Sequence, residues 1–512
     1  MKWRLLPCAC FLYLTVANLV WIARDNRPPF WDMAYHQMAS IRILDAFGEG
    51  GVSAIAKVPA LTGFYPPVYH LIVAAFYGVF GVSPRVGQLA NIPAALILIM
   101  MTFSIARTLL PPAAAGAAAA LVTFFPIMIW LSHAAMIDYW LSCFVALAMW
   151  LLLRGKDFAA RRAAVLFGLV CGVGLLTKAS FVIFVAFPFL WAARSQWKRA
   201  IMAGAIAIAV ASLWYAPQWN TFMTFYVFNS ASGAAEGDPA RLSWQSVLFY
   251  VRAMEGYQLF LPLFALFIVA IVRLARNYTN AWTPIVLWIL GGWLGLLLLE
   301  NKDPRYTMPF LPAVAIVTAK LFERRTVWIA PLMMFLLFQH FTVSFGMPWL
   351  PDEVVLAEGP EGQPRWNWNL YTQSYAGLWG KPINADWRVD DVIAKVSHKT
   401  SADGKTPVTV GLLPDIPSFD AQAFEYEILR RRAAVTVNRV AWNDEAAMQR
   451  NDYLLTTIDE SGYARIPANE LDRLNRFVTE RPGDFELVDS FRLPAGATIR
   501  FYKLTRTSSK NP

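Results

Sequence analysis

Eleven apolar runs, most of about 15–24 residues, follow one another through residues 1–345. In helical form, roughly 20 apolar residues cross the hydrocarbon of a bilayer. Few soluble folds can bury so many such runs, so this pattern confines the first two thirds of the chain to a bundle of membrane helices. The first run, Leu5 to Ile22, follows Lys2 and Arg4. It has no small-residue cleavage site, and Arg24-Asp25-Asn26 comes after it, so it reads as an uncleaved helix with a cytoplasmic N-terminus. The others begin near residues 86, 113, 138, 163, 180, 200, 258, 282, 306 and 327.

Residues 346–512 have the composition of an ordinary soluble protein. The expected fold class is therefore a polytopic α-helical membrane protein with a C-terminal soluble α/β domain, divided into 1–345 and 346–512. The whole chain is 57% hydrophobic and 16% charged, against roughly 25% charged in soluble chains. The net charge of +10 does not point to nucleic acid, because the cations sit in short loops between apolar runs, where they orient the chain in the bilayer. Cys8, Cys10, Cys143 and Cys171 lie within apolar runs and show neither metal-ligand spacing nor a disulfide framework.

One further run, Val68 to Phe80, is short for a span. If it lies along the interface, Lys2, Arg4, Arg107, Arg154 to Arg162, Arg194 to Arg199, Arg273 to Arg276 and Lys320 to Arg325 all face the cytoplasm, with only Asp157 and Glu323 opposing them. If it crosses, every later basic loop is exported and the positive-inside rule fails. The expected count is therefore about eleven spans, with interfacial helices in the first outer loop. The tail is then periplasmic or otherwise extracytoplasmic, in a multi-pass protein of the inner (plasma) membrane.

This topology collects ionisable groups at the outer helix ends: Asp32, Asp138, Lys178, Lys302, Asp303 and Arg305, with Tyr306 adjacent. Such groups at membrane depth are costly and suggest function. Each has a bland alternative, since Lys178 can snorkel and Arg305 can pair with Asp303 or Glu300. Together they suit a lipid-linked phosphate. Cations stabilise the phosphate as it binds and departs, a carboxylate takes the proton of an acceptor hydroxyl, and apolar helices hold a polyprenyl chain. No cofactor is demanded, and a divalent metal on carboxylate oxygens is left open.

The order of these pieces resembles the glycosyltransferase-C superfamily, in particular its bacterial aminoarabinose-transferase and protein O-mannosyltransferase branch (glycosyltransferase family 39-like). The resembling stretches are Asp32 with Tyr35, Pro66-Pro67-Val68-Tyr69, Phe80-Gly81, Arg85 to Pro93 with Leu96, Met136-Ile137-Asp138, Gly168 to Lys178, and Arg305-Tyr306 before Pro309-Phe310-Leu311-Pro312. The resemblance implies an integral membrane glycosyltransferase. It would move a sugar, with inversion, from a polyprenyl-phosphate donor to an extracytoplasmic lipid, glycan or protein. It implies Asp32 as general base or as the group that orients the acceptor, Asp138 as supporting carboxylate, and Lys178 and Arg305 as contacts of the donor phosphate with Tyr306 and Tyr35 nearby; Lys302, Tyr65 and Tyr69 complete the candidate substrate contacts. Two departures stand out. Asp32 is followed by Met33 rather than a second acid, which weakens a metal site there. Tyr65 stands where aminoarabinose-type relatives often carry Lys.

His36, His70 and His133 share the outer face, but their spacing does not support a metal site. The segment from Pro217 to Tyr257, with its run Asn229 to Pro239, reads as a long outer loop serving as a lid or a linker, and Glu255 could join the site. In the tail, helices are expected over Trp387 to His398 and Ser418 to Arg432. Strands are expected over Val408 to Pro414, Val435 to Val440 and Tyr453 to Thr457, with a hairpin over Phe485 to Leu504. The rival functions are a transporter or flippase of a lipid-linked substrate, which should show inverted repeats and midplane charges, and an assembly subunit with a dead site.

Overall fold

The computed structural model describes residues 2–155, 158–351, 354–358, 367–371, 380–397, 407–459, 462, 466 and 468–505. Asp157, His398 and much of the expected connector over 346–385 lie outside them.

All eleven apolar runs contain helix. By length and composition, seven helices among the described residues can cross a membrane. An eighth span is formed if Pro112–Phe124 and Pro126–Ser132, bent by 63° from each other, are one. The bend falls where Pro126 forces Phe125 into extended backbone (φ −62, ψ 134). The remaining runs form the shorter helices Arg161–Leu175, Phe181–Ala193 and Leu311–Ala319. The run expected along the interface is the 13-residue helix Val68–Phe80, about 20 Å long and so short of the hydrocarbon thickness.

Small residues set the closest helix packing. Gly168 and Gly172 lie on one face of Arg161–Leu175, against helix Trp197–Tyr215. A Cβ on Gly168 would come 2.5 Å from the Ala203 carbonyl oxygen, and one on Gly172 would come 2.5 Å from Val210 Cβ. The facing helix buries Ala200, Ala203, Ala207 and Ala211, at spacings that repeat along one side.

The expected loop over 217–257 is mainly two helices, Trp219–Glu236 and Trp244–Ala253, followed by a π-helical turn, Met254–Leu259. Small residues there serve close packing: a Cβ on Gly233 would come 2.6 Å from Asn301 Cα. Gly237, at φ +85, ends the first helix in the left-handed conformation.

The chain divides into two compact units. The first holds Met1–Ile22, Ile43–Val79 and Arg85–Pro382, and the second holds Ala23–Arg42, Phe80–Pro84 and Ile383–Pro512. The second unit is built on a five-stranded sheet. Its strands run in the order Val435–Arg439, Val408–Leu412, Tyr453–Thr457, Thr498–Leu504, Phe485–Arg492. The first three are parallel and the last two pairings are antiparallel. Alternate residues face opposite layers. Val408, Val410, Leu412, Leu455 and Phe501 pack with helices Val389–Ser397 and Ala421–Arg431. Leu454 and Tyr502 pack with Met448, Leu471, Leu474 and Val478, which lie on two helices the sequence reading missed, Glu445–Gln449 and Ala468–Thr479.

Candidate functional site

The site in the first unit is built at three helix ends. Met136 is extended, and Asp138 then lies in the first turn of Ile137–Arg154, where the helix dipole favours its negative charge. Lys178 follows the C-terminal end of Arg161–Leu175 and donates from Nζ to Asp138 Oδ1 at 2.7 Å. The Asp138 side chain is 2% exposed, whereas that of Lys178 is 18% exposed, so the ammonium is the approachable member of the pair. The same Nζ lies 4.9 Å from the centre of the Tyr306 ring, a cation–π contact.

Tyr306 belongs to the 3₁₀ turn Pro304–Phe310. Asp303 caps this turn by accepting the Arg305 N–H at 2.7 Å, with Pro304 in the first position. The Arg305 guanidinium is held by the same carboxylate, Nη2 to Oδ2 at 2.7 Å, and its Nη1 lies 3.8 Å from Met136 Sδ, beside the start of the Asp138 helix. The Tyr306 hydroxyl donates to Asn301 Oδ1 at 2.8 Å. Tyr69 is buried near this pair: burial and then the charge of Asp138 push its hydroxyl up. Its helix is fastened to the Lys178 turn by Val68 N–H donating to the Leu176 carbonyl at 3.0 Å.

Tyr65 packs instead against Phe64, Phe225 and His70, with ring centres 4.7, 5.8 and 6.4 Å away. The preceding turn is held by Trp214 Nε1 donating to Thr62 Oγ1 at 3.1 Å. Lys302 turns away from Lys178. Its Nζ donates to the carbonyl of Leu296 at 3.2 Å and to that of Leu299, capping helix Thr283–Leu297, and its N–H donates to Asp238 Oδ2 at 2.7 Å. Burial lowers the Lys302 ammonium to about 8 and raises the Asp238 carboxyl to about 6, with the Lys302 N–H opposing the latter shift. Glu255 is buried and accepts the Asn369 N–H at 3.0 Å.

Asp32 and Tyr35 belong to the second unit, both half-buried on helix Trp31–Gly50. His133 stacks on Trp21 at 3.9 Å between ring centres. Among the described residues, no three His, Cys, Asp or Glu side chains gather as a metal site.

The structure thus brings Asp138, Lys178, Tyr69, Arg305 and Tyr306 together within the first unit. It gives Tyr65 and Lys302 other neighbours there. Sequence reasoning did not single out Asn301, the acceptor for Tyr306, and no local signal marks it.

The chain superposes on the crystal structure of ArnT from Cupriavidus metallidurans bound to undecaprenyl phosphate, over 98% of both chains, with a TM-score of 0.59 and 12% identity. The two chains share one fold. The oligosaccharyltransferase of Archaeoglobus fulgidus is similar over 98% of this chain and 75% of its own, with a TM-score of 0.51 and 11% identity. Residues 65–218 match the family described as dolichyl-phosphate-mannose-protein mannosyltransferase, a stretch containing Tyr65, Tyr69, Asp138 and Lys178. The undecaprenyl phosphate-alpha-4-amino-4-deoxy-L-arabinose arabinosyl transferase of Pseudomonas aeruginosa is 26% identical over 340 residues, 60% of this chain. That of Pseudomonas paraeruginosa is 28% identical over 225 residues, 41% of this chain and 38% of its own. The chain spans 58% of the length of the P. aeruginosa relative. With seven or eight helices of spanning length among the described residues, the chain is a multi-pass membrane protein.

Proposed function

We propose that this chain transfers a sugar from a polyprenyl-phosphate donor to a hydroxyl of an acceptor outside the cytoplasm. The observation that carries this reading is the ammonium of Lys178, held by buried Asp138 beside Tyr306. One of its three N–H donors goes to Asp138, and the others suit phosphate oxygens. Arg305 supplies a second cation.

In this reading the acceptor oxygen attacks the anomeric carbon. The bond from that carbon to the phosphate oxygen breaks, and polyprenyl phosphate leaves with the electron pair, so the configuration inverts. The acceptor proton goes to Asp32, the general base. Lys178 and Arg305 stabilise the charge that grows on the leaving phosphate. Asp138 already faces an ammonium and Asp32 is followed by Met33 rather than a second acid, so the charge on the leaving phosphate falls to Lys178 and Arg305. The C-terminal residues lie outside the cytoplasm, and the membrane is the inner (plasma) membrane. The similarity to aminoarabinosyl transferases supports an aminated pentose as the first sugar to test.

The test is mass spectrometry of envelope lipids, glycans and proteins from a deletion strain and its complemented parent. One glycosylated component should disappear while a polyprenyl-phosphate sugar accumulates. Identical profiles would overturn the assignment.

A further inference from the structure

The parallel part of the second unit's sheet contains a crossover. The chain leaves Val408–Leu412, forms Val435–Arg439 on one side of it, and returns to form Tyr453–Thr457 on the other. In open α/β sheets, the crevice past the carboxyl ends of such strands is where ligands bind. Here that crevice is edged by Asp415, just beyond the first strand, which bridges to Gly462 beyond the third. The group seated against its carboxylates is a side chain of the same unit, Trp31.

The Trp31 indole Nε1 donates to Asp415 Oδ1 at 3.1 Å. The other Asp415 oxygen receives Arg439, the last residue of the neighbouring strand. The Trp31 backbone N–H donates to Asp420 Oδ2 at 3.2 Å, while Asp420 Oδ1 accepts the Ala423 N–H at 3.0 Å. One buried carboxylate therefore caps two helices, Ala421–Arg431 and Trp31–Gly50. The loop before Trp31 is tied to the same unit, with Asp25 accepting the Ile383 N–H at 2.9 Å and Asn26 accepting the Ala385 N–H at 3.0 Å. Trp31 itself has φ +44, a region that a bulky side chain enters only when its surroundings hold it there. Asp32 is the next residue, in the first turn of that helix.

We propose that Asp415 and Asp420 are positioning residues for Asp32. They clamp Trp31 in a strained backbone conformation at the sheet's switch point, and this sets where the following carboxylate points. The proposal rests on the reading of Asp32 as the base. It gives the C-terminal residues a task in the reaction itself, since residues far away in sequence fix the geometry of a group at the start of the chain.

The test compares Trp31→Phe, which removes the indole donor and keeps a smaller aromatic ring, Asp415→Leu, Asp415→Asn, which keeps an acceptor, and Asp32→Asn, all in the full chain. With undecaprenyl phosphate-4-amino-4-deoxy-L-arabinose as donor and the component lost from the deletion strain as acceptor, Trp31→Phe and Asp415→Leu should lower kcat roughly ten-fold or more with KM for the donor unchanged. Asp415→Asn should recover most of that loss. Unchanged kcat in Trp31→Phe and Asp415→Leu, with Asp32→Asn inactive, overturns the clamp and leaves the function intact. A fully active Asp32→Asn overturns both. Hydrogen–deuterium exchange on the full chain reads the clamp whatever the substrate. Faster exchange confined to residues 27–40 in Trp31→Phe and Asp415→Leu supports it, and exchange equal to wild type overturns it.

Discussion

Lys178 Nζ lies 2.7 Å from Asp138 Oδ1, across 40 residues of sequence and between the ends of two membrane helices. The carboxylate is buried and the ammonium is partly open. That asymmetry decides what each partner's removal does. Lys178→Met strands the negative charge of a side chain only 2% exposed, which should destabilise the protein by about 3 kcal/mol. Asp138→Asn leaves the more exposed cation, which can reach solvent, and should cost less stability. Thermal unfolding of the two purified variants checks the order, and equal losses would contradict it. In sugar transfer both should be impaired, Lys178→Met through weaker binding of the donor phosphate.

Asp32→Asn should remove transfer by a factor of about 10² or more while donor binding persists, because only the proton acceptor is lost. Single-turnover assays beside a donor-binding measurement separate the two effects. Full transfer in this variant would remove Asp32 from the base role.

Stability should depend on pH through Asp420. Burial, more than any other cause, raises its carboxyl from 3.8 to about 7, with the Ala423 and Trp31 N–H groups opposing the shift and Asp415 adding to it. The folded chain therefore binds more protons than the unfolded chain between those values, and this contribution to stability falls as pH rises from about 4 to about 7. The melting temperature should drop across that window in the wild type and drop less in Asp420→Asn. Parallel curves would show that Asp420 does not titrate there.

Gly172→Leu should destabilise the first unit by about 1–3 kcal/mol, since even a single Cβ there meets Val210 at 2.5 Å. Gly48→Ala is the control, because nothing lies within 4 Å of an added Cβ. Thermal unfolding of both variants in detergent checks the contrast.

A reporter fused after Pro512 should lie outside the cytoplasm, as should one inserted after Gly237. Alkaline phosphatase and green fluorescent protein fusions read the side directly. A cytoplasmic signal from the first fusion would reverse the topology drawn from the basic loops.

The sequence by itself determined the class of the protein. Apolar runs of spanning length leave a membrane bundle as the economical solution, and short strand-like runs alternating with helical ones in the tail specify an α/β domain, because both patterns are local. Tyr453–Thr457, buried along its whole length, forms where a strand was expected. Asp138, Lys178 and Arg305 were visible as charges too costly to be idle. Only the tertiary structure decided how they pair. Lys178 and Lys302 look alike in sequence, yet one faces Asp138 and Tyr306 while the other closes the end of its own helix. The segment over 217–257 misled for a related reason: its small residues read as flexible, whereas Gly233 is small because Asn301 packs against it. The bond from Trp31 to Asp420 spans 389 residues. No local pattern encodes such a contact, because its energy exists only once the sheet has formed and the loop before Asp32 has docked on it.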